Sequence, residues 1–380
     1  MRSGRGRRGS RMMLGAALSA VAMLAVGIAR SAPPQKKKKD DDTQVLQLPK
    51  ELPGAVTGDT RRLTFYSSPL SGKGLLSQQI HDAVKALERR ASGDTILKIR
   101  AFVAGPGDVR RVRDLVSQLF TDRKAPLPAL SLIRCGGLPL EGSQVVFEAI
   151  AETRKTANPH GLAFFSGLAA TSDNPLDPVE PLMQKSAAAL RKAVEKSGAI
   201  SSDVVRVTCF LSSLDNLAAS RPIIEGEYPH AAVTYLQTQR APDHGLAECE
   251  AVARIPADPQ PPVRMISVVG TPGEAGQSQI ALVDTPQAVL TGTQMSFGFE
   301  VKDAHLAFER LQKELEQAGT STRNVVFAHF YPLAKPIAAQ IRDLRKEFFD
   351  PARPPAGSIL LFEGLPSLDS GFAVDVVAVK

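Results

Sequence analysis

Apolar and polar positions follow one pattern that recurs three times along the chain. Each time, a helix-like segment with apolar residues three or four positions apart leads into a short apolar strand, and a second helix-like segment follows. An aromatic residue in the strand and another at the end of the second helix are 18 residues apart in every copy, as Phe102 and Phe120, Phe210 and Tyr228, and Tyr331 and Phe349. This constant spacing indicates a repeated structural unit.

The flanking apolar runs complete the predicted unit. In the first copy, Leu76, Ile80, Ala83 and Leu87 form the stripe of the first helix, and Asp108 is placed to cap the second. Further strand-like runs precede the first helix and follow the second, so each copy is predicted to read strand, strand, helix, strand, helix, strand, strand. Because each helix has one apolar stripe, both helices are expected to cover a single face of a mixed sheet, which is an α+β layer.

Two polar, proline-containing stretches separate the copies. Residues 154–160 read RKTANPH and residues 256–262 read PADPQPP, and neither can continue a sheet. The predicted domains are residues 43–155, 159–256 and 263–380.

The N-terminal residues are predicted to form a targeting signal. Five arginines precede an uncharged apolar run at residues 12–29, and small residues follow it, which predicts a secretory signal peptide over residues 1–31 and a charged linker over residues 32–42. The same run is just long enough to serve as an uncleaved membrane anchor. Both alternatives predict an exported protein, periplasmic or extracellular, which contacts a membrane only if the segment stays uncleaved.

Charge and cysteine content narrow the function classes. The first 39 residues hold ten basic and no acidic side chains, which leaves 36 basic against 39 acidic side chains in the remainder. The slightly negative net charge of residues 40–380 argues against nucleic-acid binding. His and Cys spacing indicates no metal site, and nothing indicates a cofactor. Of the three cysteines, Cys209 and Cys249 either form one disulfide or remain separate buried thiols.

The order of elements, together with several short motifs, resembles the reactive-intermediate deaminase family, the RidA or YjgF-type proteins. The matching fragments are Phe165-Ser166-Gly167, Leu290-Thr291-Gly292, Asp203 to Arg206, Gly137 to Pro139, Gly364 to Pro366, and Phe147 to Ala151. They recur over nearly all of residues 60–380. The resemblance implies three tandem divergent RidA-like domains.

Proteins of this family assemble as homotrimers with ligand clefts between subunits. A chain with three such domains is therefore expected to form an intrachain pseudo-trimer, a monomer in which covalent linkage replaces dilution with a high effective concentration. The implied partner is a small-molecule ligand in the inter-domain clefts.

The resemblance also implies an activity, hydrolysis of enamines and imines to carbonyl compounds and ammonia. A carboxylate on the last strand would position water, here Glu148, Glu250 or Asp375. A hydroxyl at the Ser-Gly position would assist, and its counterparts are Ser67, Ser166 and Thr291.

The family's substrate-carboxylate arginine is out of register in every copy. Its position corresponds to Leu130 in the first copy and Gly357 in the third, and the second copy has no arginine there. Arg134, on the same strand face as Leu130, and Arg353, in a displaced Pro-Ala-Arg, are the candidate substitutes. Two functions follow: an imine or enamine deaminase, and a catalytically inactive module that binds a small molecule or a protein.

Overall fold

The computed structural model describes residues 49–105, 107–268 and 276–380. The predicted signal peptide (residues 1–31) and linker (residues 32–42) lie outside the described residues. None of the helices in the described residues is long and apolar enough to span a bilayer.

The described residues form six α-helices and sixteen strands. The helices are α1 (Leu76–Ala91), α2 (Val109–Asp122), α3 (Val179–Lys196), α4 (Leu217–Glu227), α5 (Val301–Gln317) and α6 (Lys335–Phe348). The strands are β1 (Ala55–Asp59), β2 (Leu63–Ser67), β3 (Thr95–Val103), β4 (Ala129–Arg134), β5 (Val145–Glu152), β6 (Leu162–Ser172), β7 (Val204–Leu211), β8 (Ala232–Gln237), β9 (Gly245–Arg254), β10 (Val263–Ile266), β11 (Ile280–Val283), β12 (Gln287–Thr291), β13 (Gln294–Phe297), β14 (Val325–Pro332), β15 (Ala356–Ile359) and β16 (Ser370–Val379).

The helices form where the apolar stripes predict them. Every residue of the α1 stripe is buried, and the Asp108 carboxylate accepts a hydrogen bond from Arg110 N at the start of α2, which confirms the predicted cap. Each helix pair packs on one sheet: α1 and α2 on the first, α3 and α4 on the second, and α5 and α6 on the third. The predicted α+β class with mixed sheets is confirmed.

The three sheets differ in size because edge strands are exchanged between them. The first sheet has the order β2-β5-β3-β4, and the second has β10-β11-β6-β9-β7-β8. The third has β1-β12-β16-β14-β15, with β13 also paired to β16. Strand β1 therefore leaves its own segment to pair with β12, and β11 pairs with β6. Strands from two predicted domains therefore occur in one sheet. The proline-rich stretches interrupt the chain, but they do not determine which sheet edge a strand joins.

The central strands of the three sheets meet face to face in layers. Equivalent positions on β3, β7 and β14 lie at the same level, and side chains in each layer contact one another or line one cavity. The layers are Lys98, Arg206 and Phe327; then Arg100, Thr208 and His329; then Phe102, Phe210 and Tyr331. The last group joins Phe362 in an aromatic cluster with ring centroids 5.3–6.2 Å apart. This shared core positions the polar groups described next.

A disulfide lies within the second sheet. Cys209 on β7 is directly opposite Cys249 on β9, with Cα atoms 4.1 Å apart, and the two form a bridge. Of the two alternatives that the sequence allows, the structure therefore has the bonded one. Cys135 is buried, and desolvation raises the pKa of its thiol to about 12.

Candidate functional site

Seven ionisable side chains from all three sheets meet in the shared core, and together they are called the charged cluster. Strand register brings them together, because Arg100 lies opposite Glu148, Thr208 opposite Glu250, and His329 opposite Asp375. The members are Lys98, Arg100, Glu148, Arg206, Glu250, His329 and Asp375, all buried. The cluster thus includes all three carboxylates that the sequence singles out.

Glu148 is held by the first and second sheets. Its Oε2 accepts a hydrogen bond from Arg100 Nε at 2.8 Å and lies 2.6 Å from Arg100 Nη2, and its Oε1 accepts from Thr208 Oγ1 at 2.6 Å. Both oxygens are therefore occupied by protein donors.

Glu250 has four side-chain partners. It accepts from Arg100 Nη2 at 2.7 Å and Arg206 Nη2 at 3.0 Å, and it lies 2.9 Å from His329 Nε2. The Ser358 hydroxyl approaches at 3.4 Å. Glu250 therefore links all three sheets through one carboxylate.

Asp375 completes the cluster from the third sheet. Lys98 Nζ lies 2.8 Å from its Oδ1, and Tyr331 and Ser131 donate their hydroxyl hydrogens to its Oδ2. His329 Nδ1 is 3.1 Å from Oδ1. This carboxylate has a partner on both oxygens.

The surroundings keep these acids ionised. Burial alone would raise the pKa of Glu148 and Glu250, but the Arg100 charge offsets it, and the pKa of each carboxyl lies below its ordinary value. The Lys98 ammonium likewise offsets burial and holds the pKa of Asp375 well below its usual range. Burial lowers the pKa of Lys98, partly opposed by Asp375. A general base must accept a proton, so these shifts work against that role.

The three hydroxyls of the Ser-Gly position are used in structural hydrogen bonds. Ser67 Oγ is 3.1 Å from Thr234 Oγ1, and Ser166 Oγ donates to Ser278 O and accepts from Gly357 N at 2.8 Å. Thr291 Oγ1 accepts from Val376 N. Ser67 and Ser166 therefore join neighbouring segments, whereas Thr291 ties two strands of the third sheet.

The two candidate arginines do not join the acids. Arg134 Nη2 donates to Gly105 O and Gly107 O, and half-exposed Arg353 pairs with Asp350 at 3.0 Å. The family position in the third copy cannot hold a side chain, since a Cβ on Gly357 would lie 1.8 Å from Ala328 O. The roles predicted for these residues stay predictions.

A cleft lies between residues of the first copy of the repeat and residues of the second copy, and we call it the first cleft. Its volume is about 470 Å³, a size that suits a small metabolite. Ser67, Arg90, Arg221 and Tyr235 line it, and none of its described lining residues is acidic. Arg90 Nη1 donates to Ser67 O at 2.6 Å, and the Arg221 guanidinium lies 5.8 Å from the Tyr235 ring centroid. The cleft therefore presents two guanidinium groups, of which Arg221 also donates from Nε to Glu225 Oε1 at 2.8 Å.

A second cleft, between the second and third segments, has mixed charge. Its volume is about 350 Å³, and Glu248, Arg342 and Lys335 are among the residues that line it. A Cβ on Gly167 would lie 1.7 Å from Glu248 Oε1, so a side chain at this position would require the Glu248 side chain to move.

Sequence reasoning missed Glu248, Arg221 and Arg342, although regular signals were present. Glu248 lies two residues before Glu250, and its side chain borders the second cleft while that of Glu250 lies in the charged cluster. Arg221 and Arg342 each lie seven residues before the helix-end aromatic residue, so spacing alone could have found the pair.

No protein-family model and no curated protein sequence matches this chain. Among solved structures, the chain is similar to NMB1025 of Neisseria meningitidis, a YjgF-family member (13% identity; 31% of this chain and 94% of that chain; TM-score 0.23). It is similar to YyfB of Yersinia pestis, a Rid-family protein (16%; 31% and 99%; 0.28). It is also similar to Rv2704 of Mycobacterium tuberculosis, from the YjgF/YER057c/UK114 family (18%; 31% and 99%; 0.23). Each is thus matched over nearly its whole length by about a third of this chain.

Proposed function

We propose that this protein is a covalently linked RidA-like pseudo-trimer that binds a small anionic metabolite in its first cleft without transforming it. The observation that carries the proposal is the pairing of all three predicted catalytic carboxylates within the charged cluster. A carboxylate that already accepts two or more hydrogen bonds from cations and hydroxyls has little capacity to activate water.

The pseudo-trimer is supported by the repeat spacing and by the layers of equivalent side chains in the shared core. The strand aromatic residue of each copy, Phe102, Phe210 or Tyr331, belongs to one buried cluster. Such stacking is expected when three related units pack about one axis.

The choice of an anionic ligand follows from the first cleft. Guanidinium groups bind carboxylates through paired N–H donors, and Arg90 is already oriented by its bond to Ser67 O. The described lining contains no acid, and Glu225, the one carboxylate within ion-pair distance of Arg221 in the described residues, is not among the residues that line the cleft.

The test is calorimetric titration of the full chain with pyruvate, 2-oxobutanoate and, as a neutral analogue, acetone. We expect both oxo acids to bind and acetone not to bind. Arg90→Met and Arg221→Met should each weaken binding by about tenfold or more, the loss of one charge-assisted contact. Arg89→Met, an exposed neighbour on the same helix, is the matched control. Equal affinity for acetone, or equal damage in the control, would refute the proposal.

Imine hydrolysis is the second candidate, and the second cleft favours it. There an acid, Glu248, shares a cavity of about 350 Å³ with Arg342 and Lys335, which provides a carboxylate and cationic groups within one accessible space.

Ammonia release from freshly generated 2-aminoacrylate distinguishes the two functions. Release above buffer that disappears in Glu248→Gln would establish the hydrolase, and Glu250→Gln serves as a comparison from the charged cluster. Release equal to buffer in the unmodified protein eliminates it.

We further propose that the protein is exported and acts as a monomer. The Cys209–Cys249 bridge supports export, because disulfides persist in oxidising compartments. N-terminal sequencing of the protein recovered from fractionated cells tests export and cleavage after Ser31 together, and sedimentation equilibrium tests the monomer.

A further inference from the structure

A small chamber lies beside the charged cluster, apart from both clefts. Its volume is about 20 Å³, and its polar wall consists of Lys98, Arg100, Arg206, His329 and Glu148. The rest of the wall is apolar. A cavity of roughly 10–15 Å³ or more by this measure holds one water-sized particle, so the chamber excludes polyatomic anions such as sulfate or an organic carboxylate.

The chamber wall has more hydrogen-bond donors than acceptors. Arg206 is 6% exposed, and its Nε has no hydrogen-bond partner among the described residues. Lys98 Nζ carries three N–H groups, and Asp375 is the acceptor found for it in the described part of the chain. A buried donor without an acceptor lowers the stability of the folded state, so we expect an acceptor inside the chamber.

Charge and bonding capacity distinguish a water molecule from an anion. Of the described residues in the wall, Glu148 alone has a carboxylate; its Oε2 accepts from Arg100 Nε and lies 2.6 Å from Arg100 Nη2, and its Oε1 accepts from Thr208. A water could therefore donate one hydrogen at most to Glu148 Oε1, and its other hydrogen would face apolar groups. An anion accepts from Arg206 and Lys98 and needs no acceptor itself. Lys98, Arg100 and Arg206 line the chamber beside one carboxylate, because their other acidic partners, Asp375 and Glu250, lie outside its wall.

We propose that the chamber is a binding site for a single monoatomic anion, chloride under ordinary conditions. Arg206 Nε and Lys98 Nζ are its donors, and the apolar wall fixes its size. The ion links strands of the first and second sheets at the level below Arg100.

Bromide provides a direct probe. Crystals of the full chain grown in sodium bromide should show an anomalous peak in the chamber, within about 3.5 Å of Arg206 Nε. Thermal unfolding in about 150 mM chloride should occur about 2–3 °C above that in gluconate at the same ionic strength, as expected for a ligand well above its Kd.

Two variants remove the site by different routes. Arg206→Met removes the unpaired donor, whereas Val377→Ile adds a methyl group to the apolar wall and leaves every charge in place. Both should lose the bromide peak and the chloride effect, and Arg264→Met, an exposed arginine on β10, should keep them. An ordered water in place of bromide, equal melting temperatures in the two salts, or a bromide peak that persists in folded Val377→Ile would overturn the proposal.

Discussion

Replacing Glu250 by glutamine removes the carboxylate that joins the three sheets. The uncharged amide cannot neutralise Arg100 and Arg206, whose Nη2 atoms lie 2.7 and 3.0 Å from Glu250 Oε1. Arg100 keeps Glu148, but Arg206 then has no carboxylate within ion-pair distance in the described residues. The substitution therefore leaves a buried cation uncompensated.

The magnitude follows from the cost of breaking a buried ion pair, about 3–5 kcal/mol. For a folded unit of this size the entropy of unfolding makes that loss worth about 4–7 °C in Tm. Differential scanning calorimetry at about pH 7 measures it directly. Glu141→Gln, which changes the same chemical group on the exposed surface, should shift Tm by less than about 1 °C. A Glu250→Gln variant that melts with the control would refute the view that the charged cluster is tightly coupled to folding.

Three further perturbations test other parts of the structure. The carboxyls of the charged cluster have pKa values in the folded state that lie below their values in the unfolded state. The stability that they contribute is therefore complete above about pH 5 and is lost as the pH falls towards the folded-state pKa values. Glu250→Gln should flatten the curve of Tm against pH below about pH 5. Reducing the Cys209–Cys249 bridge, which closes a sequence separation of 40, should lower the unfolding free energy by about 4 kcal/mol in the chain-entropy treatment, and calorimetry with and without reductant checks it. Gly357→Ala should destabilise the protein by more than about 2 kcal/mol because its Cβ would meet Ala328 O, whereas Gly226→Ala, in open space within α4, should be neutral or stabilising in denaturant titrations.

Local patterns predicted the helices and the mixed sheets because those features depend on neighbouring residues. The α1 stripe and the Asp108 cap are set by periodicity and by one side chain, and both appear as expected. The pairing of β1 with β12 and of β11 with β6 could not be predicted. An apolar strand can pair with any open sheet edge of suitable length, and local sequence does not select the edge.

The placement of the acids shows a second limit. Sequence identifies Glu148, Glu250 and Asp375 as unusual within apolar strands, and the structure brings these three together. The cations that neutralise them were equally visible as charged residues inside apolar strands, namely Lys98, Arg100 and Arg206. The sequence does not show which sheets pack against each other. That packing decides whether a buried charged residue contacts a ligand or a residue of another sheet.

The exchanged edge strands affect how the protein is made. Strand β1 leaves the ribosome before every other described strand, yet its partner β12 belongs to the last segment to be synthesised. Until β12 is synthesised, β1 has no partner strand and its backbone hydrogen-bonding groups are unpaired. Unpaired strand edges can pair with strands of other nascent chains. Completion of the third sheet is therefore a late event in biogenesis, because its first strand waits for partners from the end of the chain.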